Sequence, residues 1–159
     1  MKKIETDVVV VAGGPAGLCA AVTLGENGVN TVIFEKSNTT GGAANMGMGP
    51  LGINTKIQKK NFNDITVEEA LRAHMEYVHW RVDADLVETY FSKSADTIEW
   101  LEDMGVKFAG SFKYFKESAA TWHIVLTPDG QYGPRSAGAM VKVLTDKVME
   151  QGTHIFRLP

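Results

Sequence analysis

Gly13, Gly14, Pro15, Ala16 and Gly17 form a turn whose working surface is backbone rather than side chain. Without a Cβ, Gly14 lets the main chain approach a pyrophosphate closely. Pro15 suits the first turn of a helix, where its missing N–H has no intrahelical partner anyway. The remaining first-turn N–H groups and the positive end of the helix dipole then face the phosphates. Gly17 lets that helix lie close on the preceding strand. Glu35 follows Gly14 at the spacing of about 20 residues expected of a ribose-binding acid. A carboxylate there accepts hydrogen bonds from ribose hydroxyls and repels a 2′-phosphate, which argues against NADP. Together these are the parts of a dinucleotide-binding site.

Such a site needs a strand, a turn, a helix and a second strand, and the sequence supplies them in that order. Val8 to Val11 is a continuous β-branched run, as expected of a parallel strand buried on both faces. A helix is expected from about Pro15 to Asn27, with Gly28 as its left-handed stop. Thr31 to Phe34 reads as the second strand. One position departs from the G-x-G-x-x-G fingerprint: Ala12 stands where the first glycine belongs, and its methyl strains a tight turn. Gly13 stands next to it to absorb that turn.

After Glu35 and Lys36 the chain reads SNTTGGAANMGMGPLGINT. An NAD-binding unit would enter another helix and strand here. The stretch from Ser37 to Gly52 is instead a loop of small residues and glycines, suited to a long flat ligand lying over backbone N–H groups. Taken alone, these residues leave three readings open: an FAD protein, an NAD-dependent dehydrogenase, and a truncated product that binds no cofactor.

The stretch resembles the N-terminus of the FAD-dependent fumarate reductase/succinate dehydrogenase flavoprotein superfamily. The matching residues are Gly14, Ala16, Gly17, Glu35, Lys36, Gly41, Gly42, Ala43, Ala44 and Gly47. Gly13 and Pro15 join them as candidate cofactor contacts in the same turn. Met46 is a candidate soft contact to a ring, with simple packing as its other reading. The resemblance implies an α/β, Rossmann-like FAD-binding domain: a βαβ unit in a parallel sheet, carrying a helical excursion and incomplete at its C-terminus. It implies FAD as cofactor. Members that attach FAD covalently use a histidine in this loop, and none is present, so the FAD would be non-covalent. It further implies a small-molecule substrate and a redox partner subunit or domain for the full-length protein. The family's substrate-binding and proton-donating residues lie later in its chains. Arg72, Arg81, Arg135 and Arg157 match none of them, so catalytic residues stay unassigned.

Composition narrows the alternatives. With 44% hydrophobic and 22% charged residues, the 159-residue chain has the balance of an ordinary globular domain. A net charge of −3 speaks against a nucleic-acid partner, and the small basic group Lys56, Lys59 and Lys60 reads as a solvated turn rather than a binding patch. No apolar run reaches the roughly 18 residues of a membrane span, and Met1 to Thr6 is too short for a signal peptide. The expectation is a cytoplasmic protein. Cys19 is the only cysteine and cannot form an intrachain disulfide. His74 and His79 lie five apart rather than four, which does not place a metal pair on one helical face, and no metal is expected.

The remaining chain reads as one partial domain. Residues 1–55 form the βαβ unit and the flavin loop, 56–135 a mostly helical excursion, and 136–159 a helix and strand returning to the sheet. Thr66 to Glu69 is a capping box, and Asp83 caps the next helix. Ser94 or Asp96 marks a break in that helix, which stops at Gly105. Val106 to Phe115 suggests a short hairpin turning near Gly110 and Ser111. Ser136 caps the last helix, Gly152 ends it, and Thr153 to Leu158 returns to the parallel sheet by a right-handed crossover. His123 is read as a satisfied structural histidine.

Overall fold

The computed structural model describes residues 3–157. In chain order the elements are β1 (Val8–Val11), α1 (Pro15–Glu26), β2 (Thr31–Glu35), a 3-10 helix (Gly42–Met46), α2 (Lys56–Lys60), α3 (Val67–Tyr77), α4 (Ala84–Asp103), β3 (Phe108–Phe112), β4 (Trp122–Val125), α5 (Ala137–Glu150) and β5 (His154–Arg157). They fall into two compact units. One gathers the chain up to Gly47 with the chain from Pro134 onward, and the other is Met48–Gly133.

The first unit is built on a parallel sheet in the order β1-β2-β5. Val8 pairs with Thr31 and Val11 with Phe34, while Val32 pairs with His154 and Glu35 with Arg157. The return of the last helix to a third parallel strand is therefore as the sequence suggests; Leu158 lies outside the described residues. Gly28 stops α1 with φ +70°, and Gly152 follows α5 with φ +84°. The core is made by Leu18, Ala21 and Val22 of α1, Ile33 of β2, and Met140, Val141, Leu144 and Val148 of α5. Each such buried aliphatic side chain contributes about 1.5–3 kcal/mol. That outweighs the roughly 1 kcal/mol of a side-chain cap, which Ser136 does not supply although it holds the N-cap position of α5.

The sheet carries α1 on one face, and the other face is buried at Val32 but largely exposed beside it. Val8, Val10 and Ile33 share the face that carries α1, where Val10 Cγ1 would lie 3.2 Å from a Cβ on Gly17. On the other face, Val9 is 51% exposed, Val11 80% and Phe34 38%. The Phe34 and Phe156 rings stack there with centroids 5.1 Å apart. The β-branched run thus does form a strand, but it alternates half-buried and exposed rather than being buried on both faces.

In the second unit, Ile53, Ala70 and Phe91 form one core cluster, packed by Leu51, Ile65, Val67, Leu71 and Val87. Thr66 caps α3 with the full reciprocal box to Glu69, and Asp83 caps α4 through Leu86 N–H. Two local expectations fail. α4 runs unbroken through Ser94 and Asp96, because Ser94 Oγ folds back to donate to Phe91 O (2.7 Å) and accepts from Ile53 N (2.9 Å). Gly110 and Ser111 do not turn a hairpin; they lie within β3, which pairs antiparallel with β4 and carries an irregularity at Gly110. His123 is fully buried and hydrogen-bonded, as expected.

Candidate dinucleotide-binding site

The glycine turn, the end of β2 and the loop after it meet through three backbone-mediated hydrogen bonds. Gly13 N donates to Glu35 Oε2 at 2.7 Å, and Ser37 N to Glu35 Oε1 at 2.7 Å. Gly41 N donates to Gly13 O at 2.7 Å. Two donors on one carboxylate, Ser37 N–H foremost and Gly13 N–H next, hold the Glu35 carboxyl below the usual carboxylate range. Each oxygen keeps a second lone-pair site, so ribose hydroxyls remain acceptable partners. Because the folded value is depressed, the stability Glu35 contributes is present above its ordinary value near 4.3 and is lost as pH falls through the folded value. In acid titrations, the stability gap between wild type and Glu35→Gln should therefore close below about pH 4.

The N-terminus of α1 is prepared for an anion. Gly14 is the N-cap, with φ −72° and no side-chain cap, and Pro15 occupies the first helical position. Leu18 N already bonds Gly14 O, whereas Ala16 N–H and Gly17 N–H have no partner among the described residues. No acidic side chain sits in this first turn. A Cβ placed on Gly14 would meet nothing within 4 Å, so the space before these donors is open. Gly17 is the opposite case: its Cβ would lie 2.0 Å from Ala12 O. Gly17 thus has the packing role its position suggests, while Gly14 leaves the space before the helix end open.

Ala12 corrects one expectation. The turn is not absorbed by Gly13; Ala12 itself takes the left-handed conformation at φ +81°, its N–H donating to Phe34 O at 2.7 Å. A left-handed residue with a Cβ costs roughly 1–2 kcal/mol, partly offset by the greater unfolded entropy of glycine. Ala12→Gly should raise stability by about 1 kcal/mol or somewhat less, read as about 2–4 °C in thermal unfolding.

The loop is held from inside. Gly41 (φ +101°) and Gly42 (φ +51°) enter the 3-10 helix, and a Cβ on Gly41 would strike Asn45 and Val141. Asn45 Nδ2 donates to Thr40 O at 2.7 Å, and Gly47 N to Ala44 O at 2.9 Å. The Thr40 and Thr145 hydroxyls meet at 2.8 Å, and Ala137 N donates to Gly47 O at 3.2 Å, so α5 fixes both ends of the loop. Lys36 and Ala43 are exposed and Ala44 is half-buried. Met46, 70% exposed, is not packed. Gly13, Glu35 and Gly41 are in direct contact, with Gly14 to Gly17 contiguous with them, while Lys36, Ala43 and Met46 stand at the surface. Sequence reasoning missed Thr40 and Asn45 as supports. Their polar side chains beside a Gly-Gly pair were the available signal.

Other candidate chemistry is thin. Burial pushes the half-buried Cys19 thiol up, away from the reactive thiolate. Among the described residues no group of His, Cys, Asp and Glu could hold a metal, and no helix is long and apolar enough to cross a membrane. Arg135 is exposed, as expected.

The sequence profile of a family described as the FAD binding domain matches residues 7–157. A vinyl phenol reductase of Lactiplantibacillus plantarum is 32% identical over 118 residues, covering 74% of this chain and 24% of that protein. A probable fumarate reductase of Shewanella frigidimarina is 30% identical over 101 residues, covering 63% of this chain and 17% of that one. Among solved structures, the open conformation of a flavocytochrome c3 fumarate reductase superimposes with a TM-score of 0.84 at 25% identity, over 96% of this chain and 26% of that one. The chain spans about a quarter or less of the length of the curated relatives it matches.

Proposed function

The chain belongs to the FAD binding domain family, and from that premise we propose that it is the FAD-holding part of a flavin-dependent oxidoreductase of the fumarate reductase/succinate dehydrogenase type. The observation that carries this reading is the N-terminus of α1: unpaired Ala16 and Gly17 N–H groups before an open space at Gly14, tied through Gly13 to the Glu35 carboxylate. A pyrophosphate and a ribose need these two groups side by side.

Each residue then has a defined job. Gly14, Ala16 and Gly17 present backbone to the phosphates, and Pro15 fixes the helix start. Glu35 accepts from ribose hydroxyls. Lys36 stands at the surface beside it. Gly41, Gly42, Ala43, Ala44 and Gly47 offer a small-residue wall to the ring system, and the exposed Met46 side chain is a soft contact available to it. The loop holds no histidine, so binding is non-covalent. When bound, FAD supplies the hydride chemistry; the protein positions it and excludes competing reactions.

The whole protein would act on a small molecule with an activated, often unsaturated, carbon. Relatives point the same way by name: a vinyl phenol reductase, a probable fumarate reductase and a urocanate reductase. In this reading the unit Met48–Gly133 is an excursion inserted in the FAD-binding domain, and a redox partner subunit or domain delivers electrons. Mixing the chain with FAD, desalting it and recording its visible spectrum tests the cofactor. Retained yellow flavin with a structured, shifted band is the expected result. A colourless chain that also fails to load after Ala12→Gly would sink the reading.

A further inference from the structure

Residues 48–52 carry no strand pattern in sequence, yet they lie along the free edge of β4. His123 N donates to Pro50 O, Val125 N to Met48 O and Gly52 N to Thr121 O, each at 2.9 Å, and Trp122 Nε1 donates to Gly49 O at 3.1 Å. The approach is so close that a Cβ on Gly49 would lie 1.9 Å from His123 O, and one on Gly52 would lie 2.7 Å from the His123 ring. Behind this segment, His123, Thr55 and Gln58 are each 0% exposed.

The protons of this cluster can be placed one by one. His123 Nδ1 lies 3.1 Å from Thr121 O, a pure acceptor, so Nδ1 carries the hydrogen. Nε2 is then the acceptor, and the Thr55 hydroxyl, 2.7 Å away, must donate to it. Thr55 Oγ1 in turn accepts from Gln58 N at 3.1 Å, and Gln58 Oε1 accepts from Thr55 N at 2.9 Å. Gln58 Nε2 closes the circuit on Ala120 O at 2.9 Å. With the ring neutral, each hydrogen bond of this circuit has one donor and one acceptor. A second proton on the ring would make Nε2 a donor and turn the Thr55 hydroxyl toward Gln58 Oε1, a longer bond at 3.3 Å to an oxygen that also accepts from Thr55 N; the obstacle to that proton is the burial of an uncompensated charge.

We propose that His123 is a positioning residue that locks Met48–Thr55 against β4 only while its imidazole is neutral. The groups meeting the ring are Thr55 of α2, Gly52 of the added strand, Thr121 beside it and the edge-on Phe108 ring of β3. None is titratable, so no carboxylate compensates a buried positive charge. Burial accordingly holds the histidine below its ordinary value, with the Thr121 carbonyl opposing. The segment follows directly on Gly47, the last residue of the proposed cofactor loop, and the consequence for FAD rests on that reading.

Amide hydrogen exchange on the full apo chain tests the lock without cofactor. Protection of Gly52 N–H and Gln58 N–H, corrected for intrinsic rates, should fall below about pH 6.5, by at most about tenfold per pH unit. In His123→Gln, whose amide both donates and accepts but cannot charge, protection should persist and lose that pH dependence. A flat profile in wild type, or the same fall in His123→Gln, overturns the proposal. Should the variant fail to fold, NMR titration of the wild-type His123 imidazole decides: its midpoint must lie below the ordinary histidine value of about 6.5, and a midpoint at or above that value overturns it. FAD retention should drop between pH 7.5 and 5.5 in wild type and not in His123→Gln. A chain that retains no FAD at any pH counts against the functional reading and leaves the exchange result standing.

Discussion

Gly17→Val should abolish the folded chain rather than weaken its cofactor site. The Cβ of any residue at this position would sit 2.0 Å from Ala12 O and 3.2 Å from Val10 Cγ1. The first obstacle is backbone, and that backbone is already fixed: Ala12 N is bonded to Phe34 O and Ala12 is held at φ +81°. α1 must lift from β1 to make room. The cost is the strain of overpacking, about 1–3 kcal/mol or occasionally more, plus part of the burial of Leu18 and Val22 at about 1.5–3 kcal/mol each. For a chain with the usual stability of about 5–15 kcal/mol, that is a large share. Circular dichroism and thermal melting check it: a cooperative transition near the wild-type midpoint in Gly17→Val would contradict the packing argument.

Gly14→Val should do the reverse, sparing the fold and removing the cofactor. The backbone there has φ −72° and ψ 177°, ordinary extended geometry for any residue, and a Cβ meets nothing within 4 Å. The loss to stability is that of a poorer N-cap, about 1 kcal/mol or less. Yet the branched side chain fills the space through which a pyrophosphate must reach Ala16 N–H and Gly17 N–H. Loss of several charge-assisted hydrogen bonds, each worth about 1.5–3 kcal/mol, lowers affinity by at least a hundredfold. The paired measurement is a melting temperature within about 4 °C of wild type alongside the absence of retained flavin absorbance. A Gly14→Val chain that still loads FAD would remove the phosphates from this helix end.

The contrast shows what the sequence made legible. β1, α1 and β2 were readable to within a residue, because their signals are local: a valine run, a proline at a helix start, a glycine stop. The capping residues Thr66 and Asp83 were readable for the same reason. Glu35 was readable as a partner of the glycine turn because its spacing from that turn is a property of the βαβ unit. Which residue in the turn would take positive φ was not, since Gly13 offered the cheaper conformation and the Phe34 carbonyl nevertheless holds Ala12 in it. The β3–β4 pairing escaped because Gly110 imitates a turn while its partner strand lies beyond a long connection. The segment 48–52 escaped entirely. Its strand character is conferred by β4, about 70 residues away in sequence, and by glycines that permit contact.

The sheet with helices on one face has a consequence for anyone handling the chain. Val9, Val11, Phe34 and Phe156 make a contiguous oily strip beside the strand ends that carry the glycine turn and Glu35. In colloidal terms this strip is a face of the first unit that wets poorly. A net charge of −3 gives only weak repulsion between copies. The chain's working concentration is therefore set by salt and by mild amphiphiles as much as by folding free energy. Turbidity against ionic strength becomes an assay of that strip, separate from any assay of the nucleotide site.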